Sequence, residues 1–461
     1  MDTNQFEQIR RGSTENIGNG SRRNSNPEPV IGHRLSMTST PSDLPPLTRS
    51  SRKLKSCPSP STSSTSRFAD IQVPPDCLAR LHREHEKYKH LHKSKPDHDM
   101  SGPAVQKAWT SNGVWHVISD MPAKKEAPFH MRDCKAFGAT SKVLLQSLGT
   151  GLVNMKGLKG FNDKTIGQDN CSVSHLTGDY NVVCVFDGHG TDGHWPSHRA
   201  AVTMPYLLQT SPGITQMMKV GEVKAALIVA FDQVQKDLVA QAPNNDVDLM
   251  CTGCTAAVIV QHPKSKKLWV ATAGDSRVIL IVPGKGVVAE TLDHKPTVEA
   301  EKERLEKMGC EVILTDHEDG FIEQRVNLSG EDYPGLGMTR SLGDLVVKPF
   351  GVTHEPIVET WETDQYDGAM VLAASDGVWE FMSNDEVCDI VFKGIEEGQG
   401  LEDIANMIIE VAKFKWDDTE PGYCDDITVV LMPANAVCGT IPHEGEGCCA
   451  QGISKLGCVL Q

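Results

Sequence analysis

Nowhere does this 461-residue chain hold the roughly 20 consecutive apolar residues of a membrane-crossing helix, and its polar N-terminus carries no apolar signal core. Positive charge is in deficit: 45 Lys and Arg stand against 61 Asp and Glu, a net charge of -16, and the isoelectric point is about 5.5. General affinity for nucleic acid is thereby excluded. The 14 cysteines are scattered and form no small-domain disulfide framework, which points to an intracellular, reducing location with thiols mostly free. No internal repeat of solenoid period occurs.

What is present is unevenly spread. Residues 1–100 carry 16 Lys and Arg against 11 Asp and Glu, so the acidic excess lies wholly in the remainder. The first 70 or so residues are rich in Ser, Thr, Asn, Pro and Arg and poor in large apolar side chains, so burial cannot offset the entropy of ordering them. Arg10-Arg11-Gly12-Ser13 and Arg22-Arg23-Asn24-Ser25 have the form of basophilic kinase sites. His82, His85, His90, His92 and His98 lack ligand spacing and a cysteine pair, and read as a solvated charged helix rather than a zinc site. The organisation expected is a disordered region over 1–100, a transitional segment over 101–140 that packs through Trp109, Trp115 and Phe129, a folded domain over 141–435, and a flexible tail over 436–461.

Within the folded part, short apolar runs of strand length recur at Val182–Phe186, Ala256–Val260, Leu268–Ala273, Val278–Val282, Met370–Ala374 and Ile427–Met432. Helical spacing marks Val223 to Leu238, Val298–Met308 with Gly309 as its stop, Asp385 to Lys393 with Asn384 as cap and Gly394 as stop, and Leu401–Trp416. Strands in groups with helices in clusters predict a layered α+β fold rather than regular βαβ alternation.

Several of these runs end in aspartate. Val182 to Phe186 leads into Asp187-Gly188-His189-Gly190, Trp269 to Ala273 into Gly274-Asp275-Ser276-Arg277, and Met370 to Ala374 into Ser375-Asp376-Gly377. Asp425-Asp426 and Gln168-Asp169-Asn170 reverse the order, placing carboxylates just before a strand. Each Asp-Gly alone is also ordinary turn chemistry. Gathered at one edge of a sheet, such carboxylates require a cation or bound protons, and hard oxygen ligands select Mg²⁺ or Mn²⁺ over zinc.

The ordered set Asp187-Gly188-His189-Gly190, Gly253-Cys254-Thr255-Ala256, Gly274-Asp275-Ser276-Arg277, Asp293-His294-Lys295-Pro296, Thr339-Arg340-Ser341-Leu342-Gly343-Asp344, Ser375-Asp376-Gly377-Val378-Trp379 and Asp425-Asp426-Ile427-Thr428 resembles the metal-dependent type 2C protein serine/threonine phosphatases over about residues 145–435. The resemblance implies a central antiparallel β-sandwich flanked by helices, with two Mg²⁺ or Mn²⁺ ions in a cleft at one end. By the family's pattern Asp187 bridges both ions, the Gly188 carbonyl binds one, and Asp376 and Asp425 complete the shell of the other. Asp275 matches a residue linked to a third, weaker ion, and Asp169 stands where the family has a carboxylate near the centre. His189 matches a general acid for the leaving alkoxide, and Lys164 lies where many members carry a phosphate-binding Arg. The implied reaction is hydrolysis of phosphoserine and phosphothreonine by in-line attack of a metal-bridging hydroxide, on phosphoprotein substrates, by a monomer.

Departures from the pattern are Gln168, where animal members often have Glu, and Glu380, where many have an Asp linked to the third ion. The resemblance places Ser329–Pro334 in the variable flap beside the cleft. Cys251-Thr252-Gly253-Cys254 is a C-x-x-C pair without a second pair, and reads as packing. The chain ends in Cys458-Val459-Leu460-Gln461, a prenylation pattern of farnesyl type, with Cys448 and Cys449 upstream as palmitoylation candidates. Together these predict a cytoplasmic phosphatase held at a membrane face. The rival readings are a catalytically weak or dead relative that binds phosphoproteins as a scaffold, against which Asp187, Asp376 and Asp425 argue, and a hydrolase of small phosphoesters.

Overall fold

The structure is a computed structural model and describes residues 100–439, apart from 110–112, 122–124 and 317–321. The two kinase-site patterns at Arg10–Ser13 and Arg22–Ser25, the His82 to His98 run and the tail cysteines Cys448, Cys449 and Cys458 lie outside the described residues.

Two antiparallel sheets stack face to face. The first has seven strands in the order Ile357–Glu362, Lys267–Ala273, Ala256–His262, Tyr180–Phe186, Asn170–Leu176, Trp115–Ser119, Cys134–Phe137. The second has five, in the order Gly286–Glu290, Arg277–Val282, Met370–Ala374, Ile427–Pro433, Gly151–Met155. The two N-terminal strands of the first sheet show that the folded body reaches back well before residue 141. Trp109 and Trp115 are buried in it, whereas Phe129 remains partly exposed.

Side-chain alternation along the strands sorts the core into layers. Val183 and Val185 point between the sheets and meet Val371, Ala373 and Val430 of the other leaf. Val182, Cys184 and Phe186 point outward, onto the helices His194–Thr210 and Val223–Gln241. On the far side Leu372, Val429 and Leu431 face the helices Asn384–Glu396 and Leu401–Thr419. The result is helix, sheet, sheet, helix.

One helix differs from its sequence reading. Ser383, not Asn384, is the cap: its hydroxyl accepts from the Glu386 N–H while Glu386 reaches back to the Ser383 N–H, closing a capping box. Gly394 is not the stop, because the helix continues to Glu396. A Cβ at Gly394 would lie 2.6 Å from the Ile404 side chain, so the glycine serves close helix–helix packing instead. Gly309 behaves as expected, closing the helix Glu299–Met308 with φ +107°.

Candidate active site

Strand register brings the aspartates to one edge. In the first sheet Asn170 pairs with Phe186 and Ala256 with Ala273, so the start of one strand and the end of the next coincide. In the second, Arg277 and Val429 both pair with Ala374. Asp169, Asp187, Asp275, Asp376 and Asp425 therefore all leave the sandwich at the same end.

Asp187 is clamped at its backbone: its N–H donates to the Thr255 hydroxyl at 3.0 Å, and its carbonyl accepts from the Thr255 N–H at 2.8 Å. The next two residues, Gly188 and His189, form a short ribbon with Gly253–Cys254, which in turn pairs with Leu342–Gly343. A Cβ on Gly188 would lie 2.3 Å from the Gly193 carbonyl oxygen, so only glycine fits there. Asp376 opens a single helical turn behind Ser375. Asp169 is buried and crosses between the leaves, its Oδ2 accepting from Ser375 Oγ at 2.6 Å and Thr428 Oγ1 at 2.8 Å.

Burial, and then the neighbouring carboxylates, make this a site of unusual proton affinity. Burial and the charges of Asp376, Asp169 and Asp425 push Asp187 well above the usual carboxylate range. Burial and the charges of Asp425 and Asp275 do the same to Asp376. Asp169 is raised to about 7 by burial and by Asp426. Asp275 is raised by burial against the opposing charge of Lys295. Buried Oδ1 atoms of Asp169, Asp275 and Asp376 have no hydrogen-bond partner.

Among the described residues no three His, Cys, Asp or Glu side chains stand ready in metal-ligand spacing. The donor set nevertheless fits a hard divalent ion: carboxylate oxygens, several of them buried and unpartnered, in a place whose excess negative charge calls for a cation.

Two lysines meet this charge from the sides. Lys159, on the short strand Leu158–Lys159, pairs with Asp425, whose other oxygen accepts from the Tyr423 hydroxyl at 3.3 Å. Burial works against the Lys159 charge, but Asp425, Asp426 and Tyr423 hold its pKa well above the ordinary lysine value. Lys295 lies 3.8 Å from Asp275 and 3.4 Å from Glu380. Lys164, by contrast, sits exposed in the loop after Lys159, so the cation brought to the carboxylates is Lys159. The Met-Lys-Gly-Leu-Lys order of residues 155–159 places Lys159 just before that loop and was the signal available in the sequence.

Two aspartates present in the sequence motifs have contacts that the sequence left unassigned. Asp426 points away from Asp425 and binds the Gly157 N–H at 2.7 Å and the Gln168 N–H. Asp344 is fully buried and accepts from Ser341. Its Oδ2 lies 2.8 Å from His189 Nε2, while His189 Nδ1 has no partner. Gln168 donates its side-chain amide to the Gly190 carbonyl at 2.8 Å. Cys254 is a free thiol buried in its ribbon, its pKa raised by burial, in keeping with packing.

The family model for protein phosphatase 2C matches residues 154–415. The chain belongs to the type 2C protein phosphatases. Among relatives, it is 32% identical over 304 residues to probable protein phosphatase 2C 61 of Arabidopsis thaliana, covering 64% of this chain and 86% of that one. It is 32% identical over 276 residues to probable protein phosphatase 2C 64 of Oryza sativa subsp. japonica, covering 58% of this chain and 61% of that one. The crystal structure of the serine-threonine phosphatase 2C from Toxoplasma gondii has the same fold, with a TM-score of 0.51 at 19% identity, covering 69% of this chain and 98% of that chain. The protein is thus a serine/threonine phosphatase of a metal-dependent family, with the expected antiparallel sandwich flanked by helices. No helix among its described residues is long and apolar enough to cross a membrane.

Proposed function

We propose that this type 2C phosphatase hydrolyses phosphoserine and phosphothreonine in proteins using two Mg²⁺ or Mn²⁺ ions held by Asp187, the Gly188 carbonyl, Asp376 and Asp425. The observation that carries this reading is the convergence of Asp169, Asp187, Asp275, Asp376 and Asp425 at one end of the sandwich, with Oδ1 of Asp169, Asp275 and Asp376 left without a hydrogen-bond partner. When bound, the ions supply positive charge opposite the phosphate oxygens and an activated water. Asp169 supports the cluster from behind, tied to Ser375 and Thr428. Lys159 holds a phosphate oxygen at the rim, in the role expected of Lys164. His189 hands a proton to the departing serine or threonine oxygen, its ring oriented by Asp344. Asp275 is the candidate for a third, weaker ion, with Lys295 and Glu380 as neighbours.

The test is turnover of a phosphothreonine peptide by the full chain with Mn²⁺ or Mg²⁺, then with EDTA. Metal-dependent hydrolysis is expected. A folded protein that binds Mn²⁺ without turnover would instead leave a phosphoprotein-binding scaffold.

Cys458-Val459-Leu460-Gln461 supports a further part of the proposal, prenylation at Cys458 with palmitoylation at Cys448 or Cys449, tethering the enzyme to a cytoplasmic membrane face. Cys458→Ser is expected to move the protein from the membrane fraction to the soluble one, and an unchanged distribution would remove that part.

A further inference from the structure

Phe161 is 98% exposed, and the next most exposed large apolar side chain among the described residues, Val437, is at 74%. A phenyl ring so fully in water contributes nothing to the core, and single exposed apolar residues are common enough to need a second observation. Here the second observation is the loop that carries it. Asp163 ties that loop down with both carboxylate oxygens: one pairs with the buried Lys156 ammonium and accepts from the Lys159 N–H at 2.9 Å, the other accepts from the Thr165 N–H and hydroxyl at 2.8 Å each. Gly160 and Asn162, on either side of Phe161, take left-handed backbone conformations with φ of +103° and +61°. An over-determined turn thus holds the ring outward.

The third observation is position. Phe161 follows Lys159 by two residues, so their Cα atoms are at most about 7 Å apart. Lys159 pairs with Asp425 of the carboxylate cluster. The ring therefore projects from the loop that directly follows the lysine paired with the carboxylate cluster.

We infer that Phe161 is a specificity-determining contact of this phosphatase: its ring receives an apolar side chain of the substrate polypeptide, about two positions from the phosphorylated residue. The inference rests on the phosphatase reading above and adds a selectivity element on the side of the cleft formed by the loop after Lys159. The fitting partner is an apolar side chain, because the ring has no polar tip and burying it against carbon is the interaction water favours.

The test uses the full chain with Mn²⁺ and three substrates. Two are phosphothreonine peptides that differ only in carrying leucine or serine two positions to each side of the phosphothreonine, and the third is p-nitrophenyl phosphate. The unaltered protein is expected to favour the leucine peptide about tenfold in kcat/KM, through KM, the size of effect that partial burial of one apolar contact gives. Phe161→Ser should erase that preference and spare p-nitrophenyl phosphate, which is too small to reach the ring, while Phe161→Leu should retain most of it. The same preference in Phe161→Ser as in the unaltered protein overturns the inference, as does an equal loss on all three substrates. A concentration-dependent dimer that Phe161→Ser abolishes would assign the ring to self-association instead. Failure of the unaltered protein on all three substrates would remove the phosphatase reading itself, an outcome distinct from a lost preference.

Discussion

His189 Nε2 lies 2.8 Å from Asp344 Oδ2, and Asp344 is wholly buried. Burial alone would favour the protonated acid, but His189, Lys348 and the Ser341 hydroxyl outweigh it and hold the Asp344 pKa below its ordinary value. Asp344 is thus a carboxylate at neutral pH, and it orients the His189 ring. If His189 is the general acid, its loss matters most when the leaving group is a poor one. His189→Asn and Asp344→Asn are each expected to reduce turnover of a phosphothreonine peptide by about 10²-fold and of p-nitrophenyl phosphate far less. Equal losses on both substrates would mean that the pair is merely structural.

Asp187→Asn should abolish activity and, in EDTA, raise the melting temperature. The variant removes a carboxylate that Asp376, Asp169 and Asp425 repel, so the metal-free fold gains what the site had cost. A rise of a few degrees is expected, with a smaller further rise on adding Mn²⁺ than the unaltered protein shows. Thermal melts with and without Mn²⁺ check both, and a variant that melts lower in EDTA would contradict the picture of stored repulsion.

The two lysines of the loop should behave differently. Lys159→Met takes away the ammonium that pairs with Asp425, and a loss of about ten- to a hundredfold in kcat/KM is expected. Lys164→Ala alters an exposed side chain and should stay within about twofold of the unaltered protein. Steady-state kinetics on one phosphopeptide decide between them, and the reverse order would restore Lys164 as the phosphate ligand.

Asp163 gives the fold an acid-sensitive point. Burial disfavours its charge, but the Lys156 ammonium and the donors from Lys159 and Thr165 win and bring its pKa down to about 2, from 3.8. A carboxyl with a depressed folded-state pKa stabilises the fold fully above its unfolded value. That contribution fades as pH falls from about 4 towards 2. Asp163→Asn is expected to lower stability at pH 7 and to flatten its pH dependence in that window. Urea melts across pH 2.5 to 7 would show it, and parallel curves for the two proteins would exclude the effect.

Much of this architecture was legible beforehand because its signals are local. Each apolar run from Val182 to Met432 that reads as a strand is one, and each Asp at a run's end lies where the register converges. The parts that were not legible depend on contacts distant in sequence. Gly394 reads as a helix stop until Ile404 is seen against it. Asp344 reads as one residue of a motif, and only the fold sets it beside His189, 155 positions away. Asp425 and Asp426 are neighbours of like chemistry, and only the paths of Lys159 and Gly157 tell the site residue from the backbone tie. Lys159 rather than Lys164 pairs with Asp425, and the loop between the two is tied back through Asp163.

The carboxylate of Asp169 begins in one leaf of the sandwich and ends on Ser375 and Thr428 of the other. It fastens the two leaves together at the edge where Asp187 and Asp376 stand. Any breathing that parts the two leaves at this edge must also draw Asp187 away from Asp376, so mechanical looseness and chemical disarray are one event.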